Sequence, residues 1–161
     1  MQNKKIEKIK LGRSLPVLLA LLVVVTLGMI CINRSNSLCD ESYRTDKIIT
    51  VGDITLNAQL ADTPSARQTG LSGKKCLSER QAMLFTFDST DIIGIWMKEM
   101  NFSIDILWLN KDKTVVSIEK NAKPESYPKV FYPSDPALYV IEVRSGIVDQ
   151  IGIAVGQKLN W

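Results

Sequence analysis

Histidine is absent from all 161 residues of the chain. That removes the Ser-His-Asp triad, the Cys-His pair and every histidine-based zinc site. Cysteine is scarce too: Cys31, Cys39 and Cys76 include no CxxC spacing, so a thiolate metal site has nothing to build on and no metal or cofactor is expected. Internal repeats and low-complexity tracts are missing. A basic excess is also missing from most of the chain. The formal charge is +3 overall, yet residues 40–161 carry fourteen basic and sixteen acidic groups, a balance of −2. Such a balance leaves no footprint for nucleic acid.

What is present begins at the N-terminus. Residues 15–32, LPVLLALLVVVTLGMICI, run eighteen positions without a charge. As a helix they would extend roughly 27 Å at about 1.5 Å per residue, enough for a bilayer core of about 30 Å. Residues 1–14 form a basic flank with Lys4, Lys5, Lys8, Lys10 and Arg13 against Glu7. Such a flank keeps the N-terminus in the cytoplasm and sends the C-terminal part of the chain across the membrane. The expectation is a retained single-pass anchor with an extracytoplasmic C-terminal domain. The alternative is a cleaved signal peptide and a secreted domain, with Ser35 and Ser37 as the small residues of a late cleavage site. Outside the cytoplasm a Cys39–Cys76 disulfide is permitted. Spacing alone does not pair two cysteines, and unpaired thiols are the preferred reading.

Residues 33–46 are polar and read as a linker, leaving 47–161 as the domain. Strand patterns cover Lys47–Val51, Ile54–Ala61, Met83–Phe87, Ile93–Lys98, Ile104–Leu109, Thr114–Lys120 and Ala137–Val143. In the second, Ile54, Leu56, Ala58 and Leu60 alternate with polar residues, which marks one buried face. Asp62 or Thr63, with Pro64 next, opens a short helix over Pro64–Thr69 that Gly70 stops. Ser145 is placed to cap a second over Gly146–Ile151, and a closing strand leads toward Leu159. The fold class expected is mainly β, a small sandwich or barrel-like domain with two short helices, preceded by the N-terminal transmembrane helix. Residues 121–136 make a long loop with four prolines and three aromatics.

The stretches ADTPSARQTGLSG, AMLFTF, IWMKEMNFSIDILWLN and ALYVIEVRSGIVDQIGIAVGQ occur in that order. Together they resemble the domain of unknown function 192 family, whose members show ADTxxxRxxGLMxR, GMLF, FWMKNTxIPLDILF and AxYVLEL patterns. The resemblance implies a compact, mainly β domain, often behind a signal peptide or anchor, with no agreed activity. It transfers no catalytic residue. Ser72 replaces the family methionine, Lys74 an arginine, Gln81-Ala82 an acidic-glycine pair, and Glu99 the asparagine after WMK.

Charges inside the apolar run Ile93–Asn110 must be satisfied by the fold or face a cleft. A hairpin across Glu99–Ser103 would bring Lys98 toward Asp105, at the mouth of a pocket walled by Trp96 and lidded by Tyr127, Phe131 and Tyr132. The simpler reading, preferred, makes Trp96 core, lets Lys98 snorkel, and has Asp105 satisfy backbone donors. Arg67 either holds an anionic ligand or, as preferred, pairs with Asp62 on the surface. Glu119 and Glu142 would form a paired-carboxylate site only if the fold joined them. The functional expectation is an envelope binding or interaction module whose partner is a glycan, a peptide or a membrane protein docked by the aromatic loop. The alternative is an envelope-polymer hydrolase or transferase using Asp105 with Lys98 or Glu99.

Overall fold

A computed structural model describes Cys39 and residues 43–161. The apolar segment 15–32, and with it the anchor expectation, lies outside the described residues. Strands β1 (Lys47–Val51) and β2 (Ile54–Ala61) form an antiparallel hairpin with Val51 opposite Ile54, turned at Gly52, whose φ of 57° suits glycine. Helix α1 (Pro64–Thr69) then carries the chain over to β3 (Gln81–Asp91), which runs parallel to β2 and so needs a crossover. The Thr63 side chain caps α1 by accepting from the Ala66 N–H at 3.1 Å, with proline next to it.

Four further strands come after α1 and β3: β4 (Ile95–Trp96), β5 (Ile104–Leu109), β6 (Val115–Ala122) and β7 (Val130–Phe131). Strand β8 (Ala137–Arg144) and helix α2 (Ile147–Ile151) end the series. Six strands make one mixed sheet in the order β1-β2-β3-β8-β5-β6. The remaining pair, β4 and β7, form a separate two-stranded ribbon.

The main sheet is apolar on both faces. One face carries Ile49, Leu56, Leu84, Leu107, Leu109 and Ile141 beneath Ile147, Val148 and Leu159. The other carries Met83, Phe85, Ile106, Trp108 and Val140 beneath Leu71, Ile95, Met97 and Phe131. Strand β5 is buried at all six positions, as expected of a strand covered on two sides. Trp108 anchors the second layer, its indole Nε1 donating to the Ile93 carbonyl at 2.8 Å.

The architecture differs from the sequence expectation in three respects. The β4–β5 hairpin does not form: β4 pairs with β7, and both edges of β5 are occupied, by β8 and β6. The strand order ends on β1 and β6, and the C-terminal segment hydrogen-bonds to β1 and to the start of β6, at Thr50 and Val115. The expected closing strand is reduced to isolated bridges, Thr114 to Lys158 and Thr50 to Asn160. Cys39 and Cys76 are bonded, with Cα atoms 5.5 Å apart, against the preference for free thiols. The end of the polar segment explains the pairing. Tyr43 packs on the core and donates to the Ala82 carbonyl, while the Asp46 carboxylate accepts from Leu60 N–H, so the chain is drawn onto the domain before β1. Closing a loop of 37 residues is worth about 4 kcal/mol in the chain-entropy picture.

Candidate functional site

Alternation in β5 puts Asp105 on the face of Leu107 and Leu109, where it is 1% exposed. Its Oδ2 accepts from the Gly146 and Val148 N–H groups at 2.9 and 3.1 Å, and its Oδ1 from Asn121 N–H at 2.9 Å. Asp105 therefore caps α2 from a neighbouring strand, supplying acceptors that the first turn of a helix lacks. Ser145, expected to do this, instead donates to the Asn121 side chain.

Lys98 is elsewhere. Its ammonium lies 3.9 Å from the Glu99 carboxylate and 5.9 Å from the Trp96 ring centre, and both charged side chains are open to solvent. The Lys98–Asp105 pair is thus absent, and with it the geometry needed for a hydrolase built on Asp105 with Lys98 or Glu99. Trp96 is not core but half exposed, edge-on to Tyr127 at 6.3 Å. Phe131 is buried in the second layer. Tyr132 is exposed and packs over Gly94, where a Cβ would meet its ring at 2.6 Å. Phe131 is part of the ribbon itself and Tyr127 and Tyr132 lie against it, so the three do not cover a Lys98–Asp105 site as a lid.

Arg67 is not paired with the Asp62 carboxylate. Its Nη1 donates to the Asp62 and Thr86 carbonyls, both at 2.8 Å, and its guanidinium lies 5.1 Å from the Phe87 ring centre. Glu119 and Glu142 stand in one row of the sheet, each opposite Ile106, which separates them.

Arg67 and Glu142 instead share a cleft of about 230 Å³ between α1, β3 and the ribbon. Phe85, Phe87, Ile95, Trp96 and Met100 contribute to its apolar wall, and Arg67 and Glu142 are the charged lining residues among those described. Gly70 brings the end of α1 close to one wall: its φ is 50°, and a Cβ there would meet Phe85 at 3.2 Å. Glu142 is 5% exposed and has no hydrogen-bond or ion-pair partner among the described residues. Burial pushes its carboxyl up to about 8. The one sequence signal for it was an acid on the face otherwise set by Leu138 and Val140. The aromatic walls, contributed by separate strands, had no signal of their own.

A second cleft adjoins the first and shares Gln68, Thr69, Ser72 and Trp96 with it, adding Lys98 and Glu99. Ser72 and Glu99, two of the departures from the family pattern, thus stand together, and the Ser72 hydroxyl donates to the Lys98 carbonyl at 2.8 Å.

The sequence model of the domain of unknown function 192, described as an uncharacterized ACR, matches residues 47–161. The chain belongs to this family. All four stretches that carry the family pattern contribute to the first cleft, through Arg67, Phe85, Trp96 and Glu142 among others. Among its relatives is a UPF0127 protein of Pyrococcus furiosus, 28% identical over 114 residues, covering 68% of this chain and 90% of the relative. A UPF0127 protein of Thermococcus sibiricus is 26% identical over 107 residues, covering 66% and 67%. Two solved structures are similar as well. A Sinorhizobium meliloti protein described as a candidate transcription regulator has a TM-score of 0.66 at 30% identity, covering 74% of this chain and 96% of its own. A Novosphingobium aromaticivorans protein of unknown function has a TM-score of 0.66 at 26% identity, covering 71% and 82%.

Proposed function

We propose that this family member is a non-enzymatic binding module of the cell envelope, tethered by residues 15–32, that takes a small amphiphilic ligand in the Arg67–Glu142 cleft. The observation that carries this reading is Glu142. A carboxyl on a side chain this buried, with no hydrogen-bond or ion-pair partner among the described residues and its oxygens not sealed off from solvent, is costly, and an apolar cleft with few convergent polar groups is the usual form of a small-molecule site. The cavity is small, with room for roughly eight water volumes of about 30 Å³, which suits a compact ligand or the end of a longer one. Exposed Trp96 at the rim favours a ring or aliphatic body lying against it.

Catalysis is disfavoured by the same geometry, because among the described residues no second acid or base joins Arg67 and Glu142 in lining the cleft. The charge balance of residues 40–161 speaks against a nucleic-acid partner. The basic flank and the Cys39–Cys76 bond both favour placement outside the cytoplasm.

A fragment panel spanning cationic, neutral and anionic compounds, titrated into the isotopically labelled full-length chain, tests the cleft. Shifts are expected at Ile95, Trp96 and Phe85. A panel that moves none of these residues would sink the reading. Protease treatment of intact spheroplasts tests placement: digestion of the domain is expected, and complete protection would place it in the cytoplasm.

A further inference from the structure

We infer that the cleft selects a ligand bearing an ammonium group on a compact apolar body, with the ammonium seated against the Glu142 carboxylate. This rests on the cleft being a binding site and names what it binds. Three observations converge on a cation. Glu142 lies 5% exposed at the cleft with no hydrogen-bond or ion-pair partner from the described residues, so the partner it lacks is a donor, and an ammonium supplies three. The walls around it include aromatic rings, which attract a desolvated cation; Phe87 and Trp96 already hold Arg67 and Lys98 at 5.1 and 5.9 Å, and Phe85 adds a third ring. The other charged lining group, Arg67, has its Nη1 tied to two backbone carbonyls and its guanidinium against Phe87, and it makes no ion pair with Glu142.

The remaining titratable neighbour is the Tyr43 phenol, raised chiefly by its burial and further by the Glu142 charge, and engaged with the Ala82 carbonyl. It is not a competing donor to Glu142. A ligand carboxylate would gain Arg67 but would face Glu142 as a second acid. A neutral ligand would leave the carboxyl protonated and gain no more than an ordinary hydrogen bond from it. An ammonium ligand converts it into a buried, paired carboxylate, and on binding near neutral pH the carboxyl must release its proton to solvent, since burial holds it up to about 8 in the free protein.

The test uses three near-isosteric probes on the full-length chain: phenethylammonium, 2-phenylethanol and 3-phenylpropionate. Phenethylammonium is expected to bind at Trp96 and Phe85 at least tenfold more tightly than either other probe. Glu142→Gln is expected to reduce its affinity at least tenfold while changing that of 2-phenylethanol less than threefold. Calorimetry at pH 6.5 in two buffers of different ionisation enthalpy reads the same event without a mutation, and release of most of one proton per ammonium bound is expected. Equal or tighter binding of the neutral or anionic probe overturns the inference, as does an unchanged ammonium affinity in Glu142→Gln. Ammonium binding that leaves the Glu142 side-chain carboxyl carbon resonance unmoved overturns it too, which keeps the test decisive if Glu142→Gln fails to fold. If the other two probes occupy the cleft and phenethylammonium does not, the cleft remains a binding site and only the ammonium specificity falls. If none of the three shifts Trp96 or Phe85, both fall together.

Discussion

Two buried carboxylates sit in neighbouring rows of the same sheet and face opposite ways. Asp105 stands opposite Val143, while Glu142 stands opposite Ile106. On the α2 side Asp105 receives three backbone N–H groups and is part of the frame. On the ribbon side Glu142 receives nothing from the described protein and opens on a cleft. Burial alone therefore does not distinguish a structural acid from a functional one. The inventory of donors around each oxygen does, because a charge removed from water must recover its hydration from something.

The largest test of this contrast is Asp105→Ala. Removing the acceptor strands the buried Val148 N–H, releases the Asn121 and Gly146 N–H groups to solvent and costs α2 its cap, so the expected loss is about 3 kcal/mol in urea denaturation. A loss below about 1 kcal/mol would make Asp105 dispensable and dissolve the contrast.

Glu142 should act with the opposite sign. Its folded carboxyl is raised to about 8, so between roughly pH 4.5 and 8 the unfolded chain has lost a proton that the native chain still holds. Stability should fall as pH rises through that window, by on the order of 3 kcal/mol between pH 4.5 and 7, and level off above about 8. Glu142→Gln should flatten that segment of the pH profile of the unfolding free energy and stabilise the protein at pH 8. An unchanged slope would show that Glu142 has a partner. Asp46 belongs to a different window: the Leu60 N–H, and then Arg44, hold its carboxyl below the usual range, so its contribution is present at neutral pH and lost on acidification.

Smaller effects sharpen the same picture. Trp96→Ala, at a half-exposed position, should change stability by less than about 1 kcal/mol yet lower the affinity of any cleft ligand about tenfold, read by paired denaturation and titration. A large stability loss would move Trp96 into the frame. Smallest of all, Lys98→Ala should alter stability by less than about 0.5 kcal/mol, since its 3.9 Å contact with Glu99 is an exposed pair. A larger change would point to a Lys98 role that this contact does not explain.

Legibility tracked the range over which each feature is decided. Strands β1, β2 and β5 and helix α1 match the expected boundaries residue for residue, because alternation, the Thr63-Pro64 start and the Gly70 stop are local. The facing of β8 was legible as well, with Val140 and Ile141 buried in opposite layers. Strand β7 was not, since two residues inside a proline-rich loop carry no period. The β4–β5 hairpin was misjudged because sequence adjacency favours it, whereas β5 had better partners in β8 and β6, two long strands that bury it on both edges. Trp96 does meet Tyr127, Lys98 does lie near Trp96, and Arg67 reaches Asp62 through its carbonyl, but Lys98 and Asp105 are apart.

The sequence by itself determined the local elements and, through four ordered motifs, the family; that the sheet is apolar on both faces emerged only in the packed chain. Whether a given charge is satisfied was left to the tertiary structure. Asp105 reaches donors at Asn121, Gly146 and Val148, up to 43 positions away, and Glu142 meets walls drawn from α1, β3 and the ribbon. Periodicity can say which way a carboxylate points. Only the packed chain decides whether a backbone amide or an open cleft is there to meet it.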